Sequence, residues 1–328
     1  MDSKRRVKRA VAVLLSSVVL LAVYGAIQRL AGGYTSLWLY LNPRGPELPP
    51  WDGRIPSLLN YSNSLAGYLN LILPLALACS ILPVGRRFRQ AGALALALGT
   101  LTLLFTGSVG GLVAFGCVGG LAGFWLFRGF ARRFIWLGGL AALAIAFFVA
   151  RSFLNPVHTV SLVGYDVGTR LLLWTTAWHF FIQSPIWGIG WGNFVGAYGS
   201  YLNLSWMQSG VYEVHNIYLQ LLSETGVVGS FAFFGLIVLA LREARRQMKS
   251  ASEPFEMALA FGCFAAMVTV LIHGLVDFLF EVSPPFGTLF WMLLALLTVS
   301  GRLRKGPRTR RALARCGKPA AGDVHKCE

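Results

Sequence analysis

A histidine beside an asparagine opens one of the chain's late apolar runs, in the stretch Val211-Tyr-Glu-Val-His215-Asn216-Ile-Tyr218-Leu. An imidazole can take up a proton near neutral pH, so His215 is a candidate general base. The bland alternative is an interfacial histidine at the start of a helix. Arg170, Arg151 and Arg54 are candidate anion binders, because a planar guanidinium grips phosphate oxygens through two parallel hydrogen bonds. His273 and Asp277 are four residues apart in an apolar run and are expected to share one face of a helix. Polar groups at membrane depth face a cavity or a partner. The pair therefore either orients a reacting group or makes a helix–helix hydrogen bond. Glu224, two turns into its run, is expected to stay hydrated.

These residues sit in a chain of 328 residues that is 55% hydrophobic and 13% charged. A soluble domain carries about 25% charged residues. Stretches near the length of about 20 residues that spans a bilayer recur. They fall at 10–30, 64–83, 91–106, 110–127, 134–150, 216–241, 256–278 and 285–301. The fold class is thus an all-α membrane protein of about eight transmembrane helices. The basic start reads as an uncleaved first helix.

The net charge of +16 lies in short clusters between the apolar runs, not in a patch for nucleic acid. With the N-terminus in the cytoplasm, every Lys and all but five Arg fall on the inner side, and both termini are cytoplasmic. The five outer cations are Arg29, Arg44, Arg54, Arg151 and Arg170. Five Cys without a C-x-x-C pair give no zinc or redox motif, and no metal or other cofactor is expected.

The organisation that follows is a first helix and Pro/Gly-rich outer loop (1–63), a four-helix block (64–150), a large outer loop (151–215), a three-helix block (216–301) and a basic tail (302–328). Within the large loop, residues 170–183 form a short apolar helix with Trp174 and Trp178, suited to the membrane interface. Pro185 and Gly188-Ile-Gly190-Trp-Gly192 then break it. A nucleotide loop is excluded there, because no strand precedes and no helix follows directly.

The stretch from Gly168 to Gly229 resembles the signature region of the O-antigen ligase/polymerase superfamily of bacterial membrane glycosyltransferases. The matching pieces are Gly168-Thr169-Arg170, Ser184-Pro185-Ile-Trp-Gly188-Ile-Gly190-Trp-Gly192-Asn-Phe194, His215-Asn216-Ile-Tyr218-Leu219 and Glu224-Thr-Gly226-Val-Val-Gly229. Weaker support comes from Asn63-Ser-Leu65-Ala66 and from His273 to Asp277.

The resemblance implies a multi-helix bundle in the bacterial inner membrane with its active face in the periplasm. It implies transfer or polymerisation of a glycan from an undecaprenyl-diphosphate donor to an acceptor hydroxyl on lipid A core, polysaccharide or protein, without metal. The matching catalytic residues are His215 and Arg170. Arg151, Arg54, Asn63, Asn216, Tyr218, His273 and Asp277 are the expected substrate-binding set. Many relatives carry an Arg in a Ser-Arg-Gly turn where this chain reads Ser108-Val109-Gly110. Another cation must act there, or donor binding is impaired. The competing readings are a small-anion transporter, which should show repeat symmetry, and a non-catalytic partner in envelope assembly.

Overall fold

The computed structural model describes residues 4–41, 53–59, 61–126, 156–202, 213–280 and 284–304. Among them are ten helices: α1 (Lys4–Ala31), α2 (Ser36–Leu41), α3 (Ser62–Ile81), α4 (Arg86–Phe105), α5 (Val109–Leu126), α6 (Pro156–Gln183), α7 (Phe194–Leu202), α8 (Ile217–Lys249), α9 (Pro254–His273) and α10 (Pro284–Arg304). No strand occurs among the described residues. Six helices (α1, α3, α4, α8, α9 and α10) are long and apolar enough to cross a membrane. A seventh, α5, stands where the fourth span was expected and is apolar over Val109–Gly120. The expected span at 134–150, Arg44, Arg151 and the tail beyond 304 lie outside the described residues.

α3 is the central element. It packs against α9, α4 and α5, and Leu65, Ala66, Leu69, Leu71, Ile72 and Leu73 are fully buried. Between helices in lipid there is little hydrophobic drive, so close van der Waals approach at small residues must hold them. Gly92 of α4 lies against the backbone of Ala76 and Ser80, and Gly262 of α9 against Leu75. A methyl at either position would meet those atoms at 2.9 and 2.8 Å.

The two ends of the bundle differ. At the basic end, Lys4 pairs with Glu253 and Glu256 at 2.7 and 2.9 Å. There Arg304 also donates to the Gln247 carbonyl at 3.1 Å. At the opposite end, residues 53–59 form a strap across α1 and α4. Ile55 N donates to Phe105 O at 3.1 Å, Gln28 Nε2 to Ser57 O at 3.1 Å, and Arg29 to Gly53 O at 2.9 Å.

The short interfacial helix expected at 170–183 is twice as long, running from Pro156 to Gln183. Together with α7 and the segment before α8 it builds a second core from Leu173, Ala177, Phe180, Phe194, Tyr198 and Val214. The described part of the large loop is therefore folded around its own apolar centre.

This unit is joined to the bundle through a break in α8. Gly226 has φ 61° and ψ −166°, a conformation open essentially only to glycine. The break frees two carbonyls and two amides, and the loop after α6 takes all four. Ile189 N donates to Ser223 O and Gly190 N to Glu224 O, both at 2.9 Å. In return Val227 N donates to Pro185 O at 2.9 Å and Val228 N to Ile186 O at 3.3 Å. Gly188 and Gly226 face each other across this crossing, and a Cβ on either would overlap the opposing backbone.

Two expectations fail here. Glu224 is fully buried, not hydrated. Its Oε1 accepts from Phe194 N at 2.9 Å, at the start of α7. A helix does therefore follow the glycine run, but its N-terminus is already occupied by a carboxylate, where a helix dipole favours one.

Gly226→Ala should destabilise the protein by about 3 kcal/mol or more, since the strain alone is worth about 1–3 kcal/mol. Gly168→Ala, in open space on α6, should be neutral. Thermal unfolding in detergent compares the two. Equal stability of both variants would contradict the crossing.

Candidate functional site

The site is assembled at the strap end from four separate stretches of chain. α9 ends at His273, where Gly274 N caps onto Val270 O at 2.9 Å. His273 and Asp277 are therefore not on one helical face, as their spacing suggested. α9 gives way to a turn over Gly274–Val276, and Asp277 lies beyond it. The reason is the start of α8. Ile217 N donates to Gly274 O at 2.7 Å and Asn216 Nδ2 to Leu275 O at 2.9 Å. These bonds draw the chain out of the helix.

Asn216 is also the N-cap of α8, its Oδ1 accepting from Tyr218 N and Leu219 N at 3.0 Å each. Tyr218 donates its hydroxyl to Leu271 O at 2.9 Å and stacks on Phe234. Asn216 and Tyr218 thus fasten α8 to α9.

His215 directly precedes the cap with φ 52°, a left-handed conformation uncommon outside glycine. That turn aims its Nδ1 at Asp277 Oδ1, 3.3 Å away. The same carboxylate oxygen accepts from Phe278 N at 2.9 Å. The other oxygen, Oδ2, lies 3.9 Å from His273 Nε2. Asp277 is thus a buried anion shared by two imidazoles. Asn70 of α3 completes the row, its Nδ2 lying 3.3 Å from His273 Nδ1 and 3.1 Å from Gly111 O.

Arg170, on α6, donates to the carbonyl of Val276, the residue before Asp277. α6 also fixes the approach to His215, because Trp174 Nε1 donates to Val214 O at 2.9 Å. One helix therefore sets both the cation and the imidazole, and the two converge on consecutive residues, 276 and 277.

Arg54 arrives from the strap. Its Nε donates to Thr106 O at 2.7 Å and its Nη2 to Asn63 Oδ1 at 2.6 Å. This lays the guanidinium against Gly107, just before the start of α5.

Arg54, Asn63, residues 107–110 at the start of α5, Arg170, His273, Val276 and Asp277 line one cavity of about 500 Å³. Its volume suits a small-molecule head group. His215 is not among the lining residues and reaches the cavity through Asp277. Asn216 and Tyr218 do not line it either.

Burial alone would push the Asp277 carboxyl up. The hydrogen bond with His215 and the positive charges of His273, His215 and Arg170 outweigh that and hold it below its ordinary value of 3.8. The carboxylate is therefore ionised at neutral pH. His215 Nδ1 must then donate to it, which leaves Nε2 as the nitrogen able to accept a proton.

Asn70 is the site residue that sequence reasoning missed. The signal was present: a lone carboxamide in an apolar run is rarely idle at membrane depth.

Residues 92–234 match the family model described as O-Antigen ligase. The match supports the O-antigen ligase/polymerase superfamily for this stretch. It holds Arg170 and His215, while Arg54, Asn63, His273 and Asp277 lie on either side of it. No curated protein matches the chain. The family supports an enzyme of glycan transfer built as a multi-pass membrane protein.

Because the folded Asp277 carboxyl titrates below its unfolded value, its contribution to stability is complete above the ordinary carboxylate range. It is lost as pH falls through the lowered folded value. Unfolding temperatures of the wild type should therefore drop on acidification over that range. The drop should be smaller in Asp277→Asn, and identical acid limbs in the two proteins would contradict the assignment.

Proposed function

We propose that the protein transfers a glycan from a polyprenyl-diphosphate carrier to an acceptor hydroxyl at the outer face of the membrane. The observation that carries this reading is the shared cavity. Arg54, Arg170 and Asn63 line it together with Asp277, and Asp277 is the partner of His215.

The positive-inside rule sets the basic end in the cytoplasm and the site end outside. Measured along α8, His215 stands about 27 residues beyond Arg242, or about 40 Å at 1.5 Å per residue. The hydrocarbon layer is about 30 Å thick, and about 40–45 Å with head groups. His215 is then at the height where a lipid-borne diphosphate lies.

In the reaction the acceptor hydroxyl oxygen bonds to the anomeric carbon of the donor. The bond from that carbon to the phosphate oxygen breaks, and its electron pair leaves with the diphosphate. The hydroxyl proton passes to His215 Nε2. Asp277 holds the ring with Nε2 available and stabilises the imidazolium. Guanidinium groups fixed before the reaction stabilise the charge that grows on the leaving group. Arg170 and Arg54 fill this role from two sides, and Arg54 supplies the cation missing at Val109. His273 acts on Asp277 from within the bundle, and Asn63 steadies Arg54.

His215→Ala should lower transfer by about 100- to 10,000-fold, the usual worth of a general base. Arg170→Ala should abolish measurable transfer, and Arg54→Lys should retain more activity than Arg54→Ala. Transfer of labelled glycan by purified protein in lipid vesicles measures all four. Normal transfer in both His215→Ala and Arg170→Ala would overturn the reading.

A further inference from the structure

The end of α6 and the segment that follows it carry a surface that glycan transfer does not use. Ile182, Ile186, Trp187 and Trp191 expose between half and nearly three quarters of their surface. On α6, Leu171 and Trp178 extend this exposed apolar stripe at helical spacing. It adjoins the outward side of α8, where Val227, Val228 and Phe231 are exposed on a helix apolar enough to span the membrane. Two backbone hydrogen bonds hold the join, with Pro185 O and Ile186 O accepting from Val227 N and Val228 N.

Height along α8 gives an independent measure. Gly226 is about 16 residues from Arg242, or about 24 Å. That falls short of the roughly 30 Å of the hydrocarbon layer. Tilt of α8 would set the crossing deeper still.

Much of the segment's backbone is paired internally, as an environment poor in water favours. Gly188 N donates to Ser184 O at 2.8 Å, and Ser184 Oγ donates to Gly188 O at 2.8 Å. Ile189 N and Gly190 N are taken by the break in α8. Asn193 returns with Nδ2 to Ile189 O at 2.9 Å and N to Gly190 O at 3.2 Å.

We infer that Pro185–Trp191 is a membrane-embedded wedge, with Ile186 and Trp187 in contact with lipid acyl chains below the outer head groups. The partner is the bilayer itself. The wedge sets the depth of the unit that carries Arg170.

The test uses spin labels on the full chain in proteoliposomes, with the exposed Cys117 and the tail residues Cys316 and Cys327 changed to Ser. Labels are placed through Trp187→Cys and, separately, Ile186→Cys. Phe231→Cys on the outward side of α8 is the lipid reference, and Lys249→Cys at its basic end is the water reference. The ratio of collisions with oxygen to collisions with a water-soluble nickel complex should match position 231 at both wedge sites. It should exceed position 249 several-fold. A ratio like that of position 249 would overturn the inference. So would low collision with both reagents, the pattern of a surface covered by protein.

Discussion

The four hydrogen bonds exchanged across the break at Gly226 are the constraint on which the site depends. A continuous α8 would keep those amides and carbonyls to itself. Once broken, it can stay in an apolar environment only if another backbone replaces the lost partners. The loop after α6 does so. In the same stroke it brings Glu224 to the first turn of α7 and fixes α6 alongside α8. Arg170 and the residues before His215 are then held by one body.

Charge is arranged with the same economy around Asp277. A lone buried carboxylate would be protonated or would disrupt the fold. Here two imidazoles, a nearby guanidinium and a backbone amide surround it. The carboxylate in turn orients His215, whose left-handed backbone is held by the Asn216 cap that follows it. The strap does equivalent work for Arg54, tying it to the nearby Asn63 and to Thr106, which is distant in sequence.

Much of this was legible in the sequence, and what was not has a physical reason. Apolar length located the spans, because a bilayer imposes length on any helix that crosses it. Gly188 and Gly190 stood out as breaks, whereas Gly226 lay inside a run read as one continuous span, and the contact of the glycine run with Gly226 is tertiary and leaves no trace in local spacing. Reading Glu224 as hydrated failed for that reason: its burial comes from a loop thirty residues earlier. The i, i+4 spacing of His273 and Asp277 predicted proximity correctly and the helix wrongly. The helix stops because α8 captures the carbonyls of Gly274 and Leu275. Arg54 was recognisable as an outer cation, yet only the folded strap brings it to the turn at Val109. The length of α6 was underestimated because Tyr165 and Asp166 interrupt the apolar pattern before Arg170.

The central claim is that Arg54 and Arg170 hold a lipid diphosphate in one cavity. Binding of farnesyl diphosphate and farnesyl monophosphate to the protein in nanodiscs tests it most directly, with the double variant Arg54→Gln, Arg170→Gln as comparison. The account predicts that the wild type prefers the diphosphate and that the double variant loses this preference. Equal preference for the diphosphate in both proteins would contradict it.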